Sequence, residues 1–185
     1  MTEPTPGPTP APAVTLAPAS SADLPSFREA FEAVAAERRW IGTEAPIDWT
    51  ERGPRFEATV ADPAWFVVLA KDGERVVGWV SCHDEGGGPV SLGMGIVDGF
   101  RSQGLGTQLL AAAIGWARHR GAHKVALEAW PTNARAIGLY EKFGFEVEGR
   151  YRRHWRRNDG SLWDAVSMGL VLDEDAPGGP PPGDS

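Results

Sequence analysis

Apolar residues recur along the middle of the chain with two different periods. Phe27, Phe31, Val34 and Ala35 follow helical spacing, and Ser26 with Glu29 three residues on has the spacing of a capping box, so a helix is predicted over about 26–39. A second, weaker helix over about 51–61 sets Phe56 and Val60 on one side, and Asp62 with Pro63 ends it. Residues 65–70 switch to an unbroken β-rich apolar run. Lys71, Asp72, Gly73 and Glu74 make a hairpin turn, and 75–82 is the returning strand. A third strand over 90–97 feeds a glycine-rich turn, and the helix behind it carries Leu105, Leu109, Leu110, Ala113, Ile114 and Ala117 before stopping near Gly121. A strand over 124–129 follows. The next helix, over 133–143, places Ala136, Ile137, Tyr140 and Phe143 on one face and is closed by Gly144. Two last strands, 145–155 and 162–172, are joined by a hairpin turn at Asp159 and Gly160. The order α-α-β-β-β-α-β-α-β-β predicts one mixed α/β domain over 23–172.

The ends differ from this middle. Residues 1–22 are Pro, Ala, Thr and Ser with almost nothing large to bury, and 173–185 are acidic with a Pro/Gly run. Both are predicted to be disordered tails. The net charge of −7 sits largely towards the ends: Glu3 and Asp23 in 1–23, and Asp173, Glu174, Asp175 and Asp184 in 173–185, stretches that contain no Lys or Arg. The middle is near neutral, which argues against nucleic acid as a partner. Cys82 is the only cysteine, which excludes an intrachain disulfide and a cysteine metal cluster. No apolar run approaches the roughly 18–20 residues of a membrane span, and 1–22 lack the basic start and apolar segment of a signal peptide. The expectation is a cytoplasmic protein, a monomer or homodimer, with neither membrane nor nucleic acid as partner.

Candidate chemistry starts at 91–110. Strand, glycine turn and helix follow one another there, and glycines at such a junction let backbone N–H groups and the positive end of a helix face an anion, so the stretch reads as a pyrophosphate cradle. It is not a Walker A loop, because Thr107 rather than Lys follows Gly106. The dinucleotide fingerprint also fails, since Leu109 stands where Gly or Ala is needed.

Val97, Asp98, Gly99, Phe100, Arg101, Ser102, Gln103, Gly104, Leu105 and Gly106 resemble the acyl-CoA pyrophosphate motif of the GNAT superfamily of N-acetyltransferases. Leu127 to Asn133, then Ala136, Leu139, Tyr140, Lys142, Gly144 and Phe145, are similar to that superfamily's second motif. The spacing of Glu128, Asn133 and Tyr140 is nearest to the ribosomal-protein alanine acetyltransferases. The resemblance implies a mixed, mostly antiparallel sheet flanked by helices, splayed to admit acetyl-CoA. It implies that backbone at Ile96 and Val97 holds the pantetheine arm and that Arg101, Ser102, Gln103, Gly104, Leu105, Gly106 and Thr107 hold the pyrophosphate. Asn133 would bond the cofactor arm, or serve as helix cap. Glu128 is the candidate base for a primary amine, small-molecule or peptide, and Tyr140 the candidate acid toward the departing sulfur. No metal is expected. The competing readings are an acyl-CoA-binding module without catalysis and an RNA-associated protein.

Three further groups bear on the site. Glu44 and Asp48 lie in a loop that shapes the acceptor pocket in the superfamily, and Trp40, Trp49 and Trp130 lie in segments bordering it. Arg150, Arg152, Arg153, Arg156 and Arg157 form a basic run interleaved with Tyr151 and Trp155. His119 and His123 have no carboxylate or Cys at ligand spacing, and the basic residues there complement the negative end of the preceding helix.

Overall fold

The computed structural model describes residues 14–84 and 86–173. The expectations for 1–13 and 174–185 lie outside the described residues. In chain order the elements are strand β1 (Thr15–Pro18), a 3-10 turn (Ser21–Asp23), helices α1 (Leu24–Ala36) and α2 (Trp49–Ala61), strands β2 (Trp65–Asp72), β3 (Arg75–His83) and β4 (Val90–Ile96), helix α3 (Leu105–His119), strand β5 (Lys124–Ala129), helix α4 (Ala134–Lys142), and strands β6 (Glu146–Arg156) and β7 (Leu162–Val171). The seven strands form one sheet in the order β1-β2-β3-β4-β5-β7-β6. Every neighbouring pair is antiparallel except β4 and β5.

Two of the sequence expectations are corrected here. The ordered chain begins before residue 23, because Thr15, Leu16, Ala17 and Pro18 pair with Lys71, Ala70, Leu69 and Val68 and make an edge strand of a stretch read as tail. Pro18 is tolerated because an edge strand needs no donor on its outer side. The capping box is Ser20 with Asp23, not Ser26 with Glu29: Asp23 Oδ2 accepts from the Ser20 N–H at 2.8 Å. Ser26 lies inside α1, and its hydroxyl accepts from the Val76 N–H at 2.8 Å, tying the helix to β3.

The sheet is covered on both faces. On one, α3 sets Leu109, Leu110, Ala113 and Ala117, all fully buried, against Ala70, Val80, Val90, Val125 and Met168. Each buried leucine contributes roughly 2 kcal/mol. On the other face, Phe27, Phe31 and Phe56 of α1 and α2 enclose Leu69, Val76 and Trp79. Trp79 lies opposite Gly95, where a Cβ would fall 2.3 Å from the indole, so only glycine fits that position of β4.

The parallel seam positions the site. β4 and β5 pair only at Val90 with Val125 and Ser91 with Ala126, after which the two strands part. The Val97 N–H bonds to the Val77 carbonyl at 2.9 Å, so by strand alternation the backbone groups of Leu92, Met94 and Ile96 turn away from β3 toward the opening.

Candidate active site

Between the parting strands lies a cleft of about 830 Å³. Its walls come from β4 (Leu92 to Ile96), the turn and first residues of α3 (Ser102, Gly104, Gly106, Thr107), the end of β5 with Trp130, the face of α4 from Asn133 to Lys142, the loop after α1 (Trp40, Ile41, Gly42), and Trp155 of β6.

At one end the cleft meets the start of α3. Gly104 is the N-cap with φ 84°, and no side chain caps the helix. The N–H groups of the first turn therefore lack intrahelical partners, and the first helical bond runs from the Gln108 N–H to the Gly104 carbonyl at 3.2 Å. Ser102 is also left-handed, at φ 62°. A fifteen-residue helix whose uncapped, positive end opens onto a cleft is suited to a phosphate group.

Among the expected cofactor residues, Ile96, Arg101, Ser102, Gly104, Gly106, Thr107 and Asn133 border this cleft. Three expected residues do not line it. Val97 is buried beside α1 and its N–H is spent on Val77; the Gln103 carboxamide bonds the Gly99 carbonyl at 2.6 Å; the Leu105 side chain packs into the α3 core. Arg101 borders the cleft, but its charge is already matched. Nε donates to the Ile96 carbonyl at 2.9 Å, the two terminal nitrogens grip both oxygens of Glu37, and the Trp40 ring lies 5.0 Å away. The residue thus fastens the glycine turn to the end of α1.

This clamp carries a pH signature. The Glu37 carboxyl is held below its ordinary value by the Arg101 hydrogen bonds, against burial, with Trp40 adding to the effect. A carboxyl depressed in the folded state stabilises the fold above its unfolded value and loses that contribution as pH falls through the folded value. Urea unfolding at stepped pH is expected to show wild-type stability falling below about pH 4.3. A Glu37→Gln chain should be less stable at pH 7 and lack that part of the fall; parallel curves would remove Glu37 as its source.

Farther along the cleft the two candidate catalytic residues face the same space. Tyr140 is only 6% exposed, and burial pushes its phenol up to about 12. Among the described residues nothing hydrogen-bonds its hydroxyl. Glu128, half-exposed on β5, accepts the Trp155 indole N–H at 2.9 Å. Asn133 caps α4, its Oδ1 accepting from the Ala136 N–H at 3.2 Å, which leaves its NH₂ group unbonded among the described residues.

Other expectations are redrawn. Glu44 does not face an acceptor: it is buried against Arg157, whose guanidinium also bonds the Gly42 and Arg38 carbonyls and stacks on Trp130 and Trp163. Asp48 caps α2. Trp40 and Trp130 line the cleft, whereas Trp49 packs edge-on against Phe31 outside it. The arginine run does not act as one patch, because Arg150 is paired with Asp164 and Arg157 is buried. Met94, Arg135, Lys142 and Trp155 are lining residues that sequence reasoning missed. The helical face of α4 carried a signal for the two cations, Arg135 and Lys142; nothing in the local sequence marked Trp155 as part of the cleft. Cys82 is fully buried, and desolvation raises its thiol to about 12, so it supplies no thiolate nucleophile. No described helix is long and apolar enough to cross a membrane.

Residues 28–145 match the Acetyltransferase (GNAT) family. Over 160 residues the chain is 31% identical to an L-methionine sulfoximine/L-methionine sulfone acetyltransferase of Pseudomonas paraeruginosa, covering 84% of this chain and 92% of that one. The solved ribosomal-protein-alanine N-acetyltransferase of Brucella melitensis is similar with a TM-score of 0.76 at 25% identity, over 85% of this chain and 99% of that one. The structure of yncA from Salmonella typhimurium, solved with acetyl-CoA, is similar with a TM-score of 0.77 at 24% identity, over 90% and 98% of the two chains. The fold, the splayed seam and the family match agree, and the chain belongs to the GNAT family of acetyltransferases.

Proposed function

We propose that the enzyme transfers an acetyl group from acetyl-CoA to the primary amine of a small amino-acid-like acceptor, by direct attack with both substrates bound. The observation that carries this reading is the convergence of an uncapped helix end, a buried phenol and a carboxylate on one cleft. The residues fit the donor: the N–H groups from Gly104 to Thr107 suit its pyrophosphate, and the outward backbone of Met94 and Ile96 with the Asn133 NH₂ suits its amide arm. Arg135 and Lys142 add cations from α4 that no described residue neutralises. The donor supplies an acetyl group activated as a thioester.

Glu128 takes the proton of the incoming ammonium, which frees the nitrogen lone pair. Tyr140 donates a hydrogen bond to the sulfur as negative charge builds there. A phenol near 12 is a weaker acid than a thiol of ordinary pKa, about 8.5, so complete proton transfer would run uphill and stabilisation by the hydrogen bond is the role that fits. Cys82 is buried and offers no route through an acyl-cysteine, in keeping with direct attack.

The acceptor class is supported by the tryptophan walls and by the Pseudomonas relative. A cytoplasmic location belongs to the same reading, in line with a single cysteine. The test is an acceptor panel of L-methionine sulfone, L-methionine sulfoximine, the common amino acids and an N-terminal alanine peptide, read by mass gain and amine-dependent thiol release. Acetylation of the free amino acids is expected. Turnover of the peptide alone would move the acceptor to protein N-termini, and binding of acetyl-CoA without any turnover would make this an acyl-CoA-binding module.

A further inference from the structure

Neighbouring residues of a regular strand point to opposite faces of the sheet, so two consecutive side chains do not ordinarily reach one group. On β6 two do. Trp155 donates to Glu128 Oε2 at 2.9 Å, and His154 Nε2 lies 3.8 Å from Oε1 of the same carboxylate. A bulge makes this possible. Tyr151 pairs with Ala165 and Trp155 with Trp163, so β6 has two more residues than β7 over this stretch. Arg153 takes up the excess at φ 52°, its N–H bonded to Asp164 Oδ1 at 2.8 Å. Bulges beside active sites re-aim side chains. Here the bulge swings two residues onto the base candidate.

We infer that His154 is the outlet for the acceptor's proton, a reading that rests on Glu128 being the base. The ammonium gives its proton to a Glu128 oxygen, and its N–H electron pair becomes the attacking lone pair. Protonated Glu128 passes that proton to the lone pair of Nε2 of neutral His154, restoring the carboxylate; His154 releases a proton to water from Nδ1, and proton exchange of the exposed imidazole with water restores the Nδ1–H tautomer before the next turnover. Trp155 is a positioning residue: by holding Oε2 it leaves Oε1 toward the imidazole. His154 is held in turn by Tyr151, whose ring centre is 4.8 Å from its own. At 3.8 Å the two groups stand beyond hydrogen-bond length, so the transfer requires a rotation of one of these exposed side chains, 42% and 39% exposed, and the imidazole is in contact with solvent. Imidazole is the side chain suited to exchanging protons with water near neutral pH. The charged groups around it are Glu128 from β5, Arg152, Arg153 and Arg156 on β6, and on β7 Asp164, which is committed to Arg150 and to the Arg153 N–H.

The test compares wild type, His154→Gln, Glu128→Gln and the double variant in the full chain. Each is assayed with L-methionine sulfone and, without amine, by release of CoA to water, in which the attacking water loses its proton by the same route. In dilute non-imidazole buffer, H154Q should lower kcat about tenfold with an unchanged KM for acetyl-CoA, and added imidazole should restore the rate in a concentration-dependent way. In the E128Q background the same change should have no further effect, because the relay acts only through Glu128. If E128Q turns over like wild type, the base assignment fails and the relay with it. If E128Q is slow but H154Q keeps the wild-type rate and does not respond to imidazole, the base stands and the outlet is overturned. A slow H154Q that imidazole does not rescue, or that adds its full loss to E128Q, also overturns it.

Discussion

A Tyr140→Phe enzyme is expected to lose about 10²-fold in kcat while keeping its KM for acetyl-CoA and its thermal midpoint. On the proposed mechanism, the kinetic loss follows from removing the hydrogen bond that the buried phenol donates to the departing sulfur. The unchanged stability follows from the hydroxyl's surroundings: among the described residues it bonds nothing, so its deletion orphans no partner. The ring stays where it is, packed 5.7 Å from Phe145. Steady-state kinetics with calorimetric unfolding on the same preparation separates the two effects. Because burial raises the phenol to about 12, ionisation of Tyr140 should leave no alkaline limb in the rate profile below about pH 11. Full activity in Tyr140→Phe would reduce the residue to packing.

The largest structural effect is expected at Arg157. It is 4% exposed, its Nε lies 3.1 Å from Glu44 Oε1 but out of line for a hydrogen bond, and it bridges the loop after α1 to the β6–β7 turn. Arg157→Ala leaves the buried Glu44 carboxylate without its main counter-charge and should cost about 3–5 kcal/mol in urea unfolding. Glu44→Gln in the same chain should recover part of that loss, since it removes the stranded charge. The loop so released carries Trp40, Ile41 and Gly42 of the cleft wall, so below the unfolding temperature KM for the amine should rise more than KM for acetyl-CoA. Equal rises in both would mean that the loop does not border the acceptor.

These two residues also mark what the sequence makes legible. Tyr140 sits on a strongly periodic helix inside a local motif, and α3 and β5 likewise announce themselves by period and flanking glycines. The Arg157 role depends on Glu44, far away in the chain, and Arg101 looks like a phosphate ligand until Glu37 is seen gripping it. Local spacing carries no trace of such pairings. β1 was unreadable for a different reason: four residues inside a proline-rich stretch gain their order from pairing with β2 and not from any propensity of their own. Ser26 and Glu29 had the right spacing for a cap, but the turn at Ser20 and Asp23 had already started the chain winding. Trp155 was invisible because strand alternation sends it one way and the bulge sends it another.

The parallel seam has a mechanical consequence. Among the described residues, two residue pairs are the whole strand pairing between a four-stranded ribbon, β1 to β4, and a three-stranded one, β5 to β7. In the proposed binding mode, a donor whose amide arm lay along Met94 and Ile96 would supply pairings that the seam lacks. On that binding mode the donor would serve as a fastener between the two ribbons as well as a reactant, adding to the packing of α3 across both.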